Sequence, residues 1–444
     1  MQTVITNISF EQTKDALKSK YSQLSDTGSF FALLQTEYDN AGNVQHDFLD
    51  VIDEAITCGY EYVNTIVYPV KNRLECAISD NVKYVVWFCK KHSAITFDKD
   101  AIREKHIWKD VEWGKREKNY NPKGKDPGNV WIPTEDDGKA NITDHILLED
   151  EGVIQRLLAM SMCGDDYELI QEVPVRQCGI VRDEKRVLSQ SQHEIFDKVF
   201  FKSSEVMTDV RDNSVKVVVT SPPYWNLKDY FKEGQIGQES YETYLTRMRM
   251  VWSECYKKLS DDGSLWININ IRVQSGKIIP IPHDFVKMCK DIGFYYKGIV
   301  IWHKSSGIPT GDKNIVDRHE YILIFSKTEY FTVNKSIFRS FADYKNDAMN
   351  GGGFWNINRK AGSVGKKFIH PAIYPNDLVT RILLAASEEG DVSLDPFLGS
   401  GTSLIAAHQN KRAFIGYEFN EGFKELMLSR FNDEIPDGHI DFIS

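Results

Sequence analysis

"GDVSLDPFLGSGTSLIAAHQNKRAFIGYEFN", Gly390 to Asn420, alternates an apolar strand, a glycine turn, a helix and a second strand. "DVSLD" predicts a short strand, Gly399-Ser400-Gly401 a tight turn, Thr402 to Gln409 the opening of a helix, and "AFIGYE" a strand ending at Glu418. Glycines let a ligand approach the backbone, and a helix N-terminus offers unpaired N–H donors. An acid closing the next strand, here Glu418, suits the hydroxyls of a ribose. The turn can equally serve structure alone, because G-x-G is a weak signal. The lysine of a phosphate-binding G-x-x-x-x-G-K-[ST] loop is missing, and Asp395 repels phosphate. An acid there fits a ligand with a positive aminoacyl end, such as S-adenosylmethionine, better than a nucleotide hydrolysed at its phosphates.

A second chemical stretch lies far upstream. "VKVVVTSPPYWNLKDY", Val215 to Tyr230, is a β-branched run stopped by Ser221-Pro222-Pro223-Tyr224. The prolines fix φ and remove two backbone donors, so the carbonyls around them remain as acceptors at a strand end. An exocyclic amine brings two N–H donors. Ser221 Oγ and the Pro222 carbonyl can hold it with its lone pair directed at a methyl donor. Tyr224 and Trp225 can stack on a planar ring, and reaching such an amine in a duplex requires the base to leave the stack. The bland reading of S-P-P-Y is a strand and its loop. The Val-rich strand before it and the DPFLGSGT loop after it favour a site.

Composition sets outer bounds. The chain has 444 residues, 41% of them hydrophobic and 27% charged, as in an ordinary globular protein of two domains or one with large insertions. No long uncharged apolar run and no basic-then-apolar start occur, so neither a membrane span nor a signal peptide is expected, and the expected location is cytoplasmic. Seven dispersed cysteines without C-x-x-C read as reduced thiols, with no metal site. The net charge of −10 weighs against nucleic acid as a partner without excluding it, since local patches matter more than totals. One such patch, "REKHIWKDVEWGKREKNYNPKGK" from Arg103 to Lys125, carries eight Lys/Arg against four acids and three aromatics. A solvated face is the commoner meaning of such a run.

The chain also repeats itself. "YSQLSDTGSFFALL" from Tyr21 resembles "YKKLSDDGSLWINI" from Tyr256, and "HDFLDVIDEAITCGYEYVNTIVYPV" from His46 resembles "HDFVKMCKDIGFYYKGIVIWHK" from His283. "DNVKYVVWFCKK" from Asp80 pairs with "DRHEYILIFSKT" from Asp317, and "DHILLEDEGVIQRLLAMSMCGDDYEL" from Asp144 with "IHPAIYPNDLVTRILLAASEEGDVSL" from Ile369. Four pairs in one order predict two copies of an α/β unit, near 10–175 and 244–396, each a mostly parallel sheet with helices on both faces. The second copy is preceded by TSPPYW and followed by DPFLGSGT. The first has nothing comparable before Tyr21.

TSPPYW followed by DPFLGSGT resembles the β class of DNA amino-methyltransferases, in which the target-amine motif precedes the cofactor motif. The resemblance runs from about Phe196 to the C-terminus. It implies a Rossmann-like sheet in circularly permuted motif order and S-adenosylmethionine as cofactor. Asp395, Pro396, Phe397, Gly399, Ser400, Gly401 and Thr402 then wrap its methionine part. His370, Pro371 and Tyr374 line the same pocket, Glu418 takes the ribose hydroxyls, and Phe419 lies near the adenine. Ser221, Pro222, Pro223 and Tyr224 become the catalytic set. Family members usually carry Gly-Asp-Ser ahead of the target motif, whereas here "FFKSSEVM" places Ser203 where the Asp would be. Ser in the first position of the target motif goes mostly with cytosine N4, and Asp or Asn with adenine N6. Cytosine N4 is therefore the favoured target and adenine N6 the alternative.

The expected architecture is a degenerate methyltransferase-like domain, 1–180, and a catalytic domain, 181–444, with a short target-recognition region about 328–368. The first copy is expected to pack on the second as an internal pseudo-dimer and to help grip double-stranded DNA; the duller reading is that it only buries a face. Candidate DNA contacts are Trp225, Lys115, Arg116, Lys118, Arg339, Lys345, Arg359 and Lys360. The resemblance also suggests a cognate restriction endonuclease acting on the same site. An RNA or protein N-methyltransferase and a catalytically dead DNA-binding descendant are the rival classes.

Overall fold

A computed structural model of the chain describes residues 1–70, 79, 81–103, 123, 126–131, 150–172, 196–226, 232–274, 277–304, 314–334, 337, 352–357 and 374–443. In chain order the first half carries β1 (Thr3–Asn7), α1 (Phe10–Lys20), β2 (Ser29–Gln35), a ribbon of β3 (Glu37–Tyr38) and β4 (Val44–His46), α2 (Phe48–Thr57), β5 (Glu61–Pro69), β6 (Val82–Cys89), α3 (Asp150–Ser161) and β7 (Tyr167–Gln171). The second half opens with β8 (Asp197–Phe200), β9 (Val215–Thr220), α4 (Tyr241–Lys258), β10 (Leu259–Ile269), a ribbon of β11 (Arg272–Gln274) and β12 (Lys277–Ile279), and α5 (Ile281–Ile292). It continues with β13 (Tyr295–His303), β14 (His319–Ser326), β15 (Phe354–Asn356), α6 (Asn376–Ala386), β16 (Val392–Asp395), α7 (Thr402–Gln409), β17 (Ala413–Tyr417), α8 (Lys424–Glu434) and β18 (Asp441–Ile443).

Local chemistry sets these boundaries. Ser9 and Asp47 close capping boxes with Gln12 and Asp50, so α1 and α2 begin where side-chain oxygens accept the first free N–H groups. The interior strands are largely apolar; all six residues of β9 are buried, as expected of a strand covered on both faces, with its one charge, Lys216, paired to Asp262.

The first sheet has the order β5-β6-β2-β1-β7, and the second contains β13-β14-β10-β9-β16 within its nine strands. Strand directions match position by position: β1–β2, β1–β7, β9–β10 and β9–β16 are parallel, while β2–β6, β5–β6, β10–β14 and β13–β14 are antiparallel. Each outer antiparallel pair slips register at one place, between Tyr62 and Asn64 and between Tyr296 and Gly298. Finer contacts recur too. Trp131 Nε1 donates to the Gly128 carbonyl at 3.1 Å and lies under Arg156, as Trp355 Nε1 donates to the Gly352 carbonyl at 2.9 Å and lies under Arg381. The second sheet then runs on through β17, β8 and β18, which have no partner in the first among the described residues.

Register corrects one expectation. Ser29 opposes Thr3 as Ser264 opposes Val217, so Thr6 occupies the position of Thr220 and Asn7 that of Ser221. The first half therefore does have a counterpart of TSPPY: the stretch Thr6-Asn7-Ile8-Ser9-Phe10, lying before the expected repeat start. The same logic puts Leu169 where Asp395 stands. One apolar core runs through both halves, with the Phe48 ring stacked on Tyr84 and 5.4 Å from Tyr321. Among the described residues no helix is long and apolar enough to cross a membrane, and no cluster of His, Cys, Asp or Glu could hold a metal.

Candidate active site

The carboxyl ends of four neighbouring parallel strands, β9, β16, β17 and β8, open onto one cleft. Strand ends of this kind are where ligands bind in open α/β sheets. Ser203, Ser221, Tyr374, Phe397, Glu418 and Phe419 are on its walls.

Asp395 ends β16 and is fully buried. Its carboxylate accepts from Thr220 Oγ1 at 2.7 Å, the Phe397 N–H at 2.9 Å, Tyr374 Oη at 3.2 Å and Ser403 Oγ. Burial pushes this carboxyl above its ordinary value, opposed in part by those four donors. Asp395 thus lies beneath the cleft floor that Pro396, Phe397 and Gly399 form. It works as the post to which both chemical loops are tied, and Thr220, the residue before Ser221, is its link to the target loop.

Gly399 and Gly401 take φ of +55° and +85°, the left-handed region that a side chain disfavours. This turn brings the Gly399 N–H onto Glu418 Oε2 at 2.8 Å, while Glu418 Oε1 accepts from the Asn420 N–H at 2.7 Å. Burial raises the Glu418 carboxyl to about 7 against the pull of those two N–H groups. Arg430 on α8 holds the turn from below, donating to the Ser400 carbonyl at 2.6 Å, Ser400 Oγ at 2.7 Å and Thr402 Oγ1 at 3.2 Å. On the opposite wall Ser203 Oγ donates to Glu205 Oε2 at 2.7 Å. Arg247 grips the same carboxylate through Nε at 2.9 Å and Nη2 at 2.8 Å, a bidentate pair. Where an acid was expected near an adenine, the wall therefore presents a serine backed by an ion pair.

The target loop is braced on every side. The Pro223 carbonyl accepts from Tyr244 Oη at 2.8 Å. Tyr224 Oη donates to Glu320 Oε2 at 2.9 Å, and Asn268 Nδ2 reaches the same oxygen at 2.8 Å. Lys304 Nζ holds Glu320 Oε1 at 2.9 Å. Burial alone would raise Glu320, but the Lys304 charge with the three donors outweighs it and keeps the carboxyl below its usual range. Trp225, expected to contact DNA, is partly buried and braces the loop from the α4 side. Its indole N–H bonds the Glu239 carbonyl at 2.7 Å and its ring meets Tyr241 edge-on at 5.1 Å, so it anchors the loop to α4.

The structure brings Ser221, Pro223, Tyr374, Pro396, Phe397, Gly399, Ser400, Thr402, Glu418 and Phe419 to one cleft. Arg247, Lys232, Gln235, Asn420 and the brace Arg430 escaped the sequence reading. Their only signal was position on amphipathic or loop segments, with partners far along the chain. His370, Pro371, Lys115, Arg116, Lys118, Arg339, Lys345, Arg359 and Lys360 lie outside the described residues, as does most of the Arg103–Lys125 run. Its described ends are tied to acids, Arg103 to Asp100 and Asp126 and Lys123 to Asp100.

A mostly parallel α/β sheet, with the Ser221–Tyr224 loop tied through Thr220 to the start of the glycine loop, frames this site. Residues 215–429 match the N6/N4 methyltransferase family, described as DNA methylase. The type II methyltransferase M.Cfr9I of Citrobacter freundii is 30% identical over 268 residues, covering 52% of this chain and 85% of that one. M.SmaI of Serratia marcescens is 30% identical over 301 residues, covering 60% and 94%. A putative DNA modification methylase of Thermus thermophilus, solved with S-adenosyl-L-methionine, is 27% identical at a TM-score of 0.43 and covers 56% of this chain and 98% of its own. The chain belongs to the N6/N4 DNA methylase family.

Proposed function

We propose that the chain transfers a methyl group from S-adenosylmethionine to the exocyclic amine of a base flipped out of double-stranded DNA, with cytosine N4 as the target. The observation that carries this reading is the 2.7 Å hydrogen bond from Thr220 to Asp395, which fixes the amine-holding loop against the glycine loop across 175 residues of sequence. Bound S-adenosylmethionine supplies an electrophilic methyl on a sulfonium. The protein supplies position. Glu418 accepts from ribose hydroxyls, Phe419 flanks the adenine, and the cleft beside Phe397 and Thr402 takes the aminoacyl end. Ser221 Oγ accepts one N–H of the target amine and leaves the nitrogen lone pair pointing at the methyl. A neutral serine is no base, so the amine proton leaves to water after transfer, when the methylated nitrogen is acidic. Rate then comes mainly from orientation. Cytosine over adenine rests on Ser221 in the family pattern.

In this reading residues 181–444 form the catalytic domain, with recognition of the DNA sequence near 328–368, in the motif order expected of a permuted member. Residues 1–180 are a degenerate copy: Leu169 in place of the buried acid leaves nothing to tie a glycine loop. Incubating the protein with labelled S-adenosylmethionine and duplex DNA, then separating the nucleosides, tests the proposal. N4-methylcytosine supports it. N6-methyladenine overturns the base assignment, and label in RNA alone or nowhere overturns the activity.

A further inference from the structure

The two halves touch through reciprocal contacts. Strand residues 127–129 of the first half run beside Val316 of the second: Val316 N–H donates to the Pro127 carbonyl at 3.0 Å and Asn129 N–H to the Val316 carbonyl at 2.9 Å. Asn129 Oδ1 accepts the Arg318 N–H at 2.8 Å, and its Nδ2 donates to Asp317 Oδ1 at 3.0 Å. The related contact exists on the other side. Asn81 holds in the first half the place of Arg318, and Gly353 in the second the place of Asn129; there Asn81 Oδ1 accepts the Gly353 N–H at 2.6 Å. Matching backbone bonds flank both, Val67 N–H to Asn129 O at 2.8 Å and Ile301 N–H to Gly353 O at 2.8 Å. The equivalent helices α2 and α5 face each other, with Asp53 3.7 Å from His283. This is the logic of an isologous two-fold interface built within one chain.

The two related contacts lead to different places. Two residues beyond Arg318 stands Glu320, the buried carboxylate that holds Tyr224. Asp317, gripped by Asn129, also accepts from Asn270 Nδ2 at 2.9 Å, two residues beyond Asn268, which donates to Glu320 as well. Two residues beyond Asn81 stands Lys83, the first-half counterpart of Glu320. Its ammonium bonds Asp150 at 2.6 Å, and Asn7 and Tyr68 bond the same carboxylate at 3.1 and 3.0 Å, so the place of the target site is filled.

We propose that the N-terminal half is a fused second subunit whose contribution to catalysis is to brace the target-amine loop, through Asn129 clasping Asp317 and Arg318 at the start of β14. Asn129 is thereby a positioning residue. The inference rests on reading Ser221 to Tyr224 as the amine site, and its test has an arm that does not.

Full-length Asn129→Ala and Asn81→Ala proteins remove one hydrogen-bonding side chain each from related contacts. Three quantities are measured: kcat and KM on DNA, cofactor Kd by calorimetry, and hydrogen–deuterium exchange of residues 221–226. Asn129→Ala is expected to lower kcat roughly tenfold or more, keep the cofactor Kd within about twofold, and speed exchange of 221–226; Asn81→Ala leaves kcat and that exchange near wild type. Gly128→Ala is a second probe, because its Cβ would fall 2.6 Å from Arg318 Cδ and displace the same strand start. Unchanged exchange of 221–226 in Asn129→Ala, or equal exchange in the two asparagine variants, overturns the brace. A wild type that methylates no DNA while the exchange difference persists overturns the activity and leaves the brace standing.

Discussion

Thr6 and Thr220 occupy the same place in two sheets of the same strand order, and their hydroxyls do different things. Thr220 donates at 2.7 Å to Asp395, joining two loops that the sequence separates widely. Thr6 donates to the Phe31 carbonyl at 3.5 Å, and Leu169 stands at the position of the acid. A few positions on, Glu320 holds Tyr224 in one half while Lys83 pairs with Asp150 in the other. The scaffold tolerates both sets of residues. The difference teaches that the fold is carried by strand pairing and apolar burial, whereas the chemistry hangs on a handful of polar links at strand ends.

The comparison can be broken by making the second half resemble the first. Asp395→Leu removes the post for Thr220, Tyr374, Ser403 and the Phe397 N–H, and the expected result is loss of methyl transfer by about 100-fold or more, read with labelled cofactor. Ser221→Ala removes the proposed acceptor of the target amine; kcat should fall about 10- to 100-fold with unchanged cofactor Kd, as for loss of one strong hydrogen bond. Asn7→Ala, at the matching position, should leave turnover unchanged, and a fall there would refute the assignment of an inactive half.

Stability sharpens the same contrast. Asp150→Ala strands Lys83 and should cost about 1–3 kcal/mol, a shift of several degrees in Tm, without altering turnover. Burial raises the Asp150 carboxyl, but the Lys83 hydrogen bond and charge, with Asn7 and Tyr68, hold it below its usual range. A depressed acid stabilises the fold above its ordinary value near 4 and loses that contribution as pH falls through the folded value. The Asp150→Ala protein should therefore lose less stability than wild type on acidification below about pH 4, seen in melts across that range.

The smallest effect is expected at Glu418, whose raised carboxyl titrates near 7. In the proposed cofactor pose, two ribose hydroxyls are accepted only by the ionised form. Cofactor affinity should be full above about pH 7 and weaken below it, by at most about tenfold per pH unit. Glu418→Gln should bind more weakly and flatten that dependence. Calorimetric Kd values from pH 5.5 to 8.5 check both.

Much of this was legible in the sequence because period and punctuation survive without partners. The run Gly390–Asn420 and the stop at Ser221-Pro222-Pro223 are local signals, and the four repeated segments are long enough to align. What escaped depends on register. Asn7 looks like any residue near a terminus until Thr3 is seen opposite Ser29. Arg430 and Glu320 meet their partners 30 and 96 residues away, which no local pattern encodes. At Trp225 the sequence suggested only stacking, and it could not show that the indole N–H is taken by the Glu239 carbonyl and that Tyr241 meets the ring edge-on.

The reciprocal contacts around Asn129 and Asn81 lie within one chain, which takes the pairing of the two sheets out of the reach of dilution. A separate subunit is gained and lost by mass action; a tethered one meets its face at an effective concentration fixed by the polypeptide. Within one chain the two related positions also need not carry the same residue, and Lys83 and Glu320 do not.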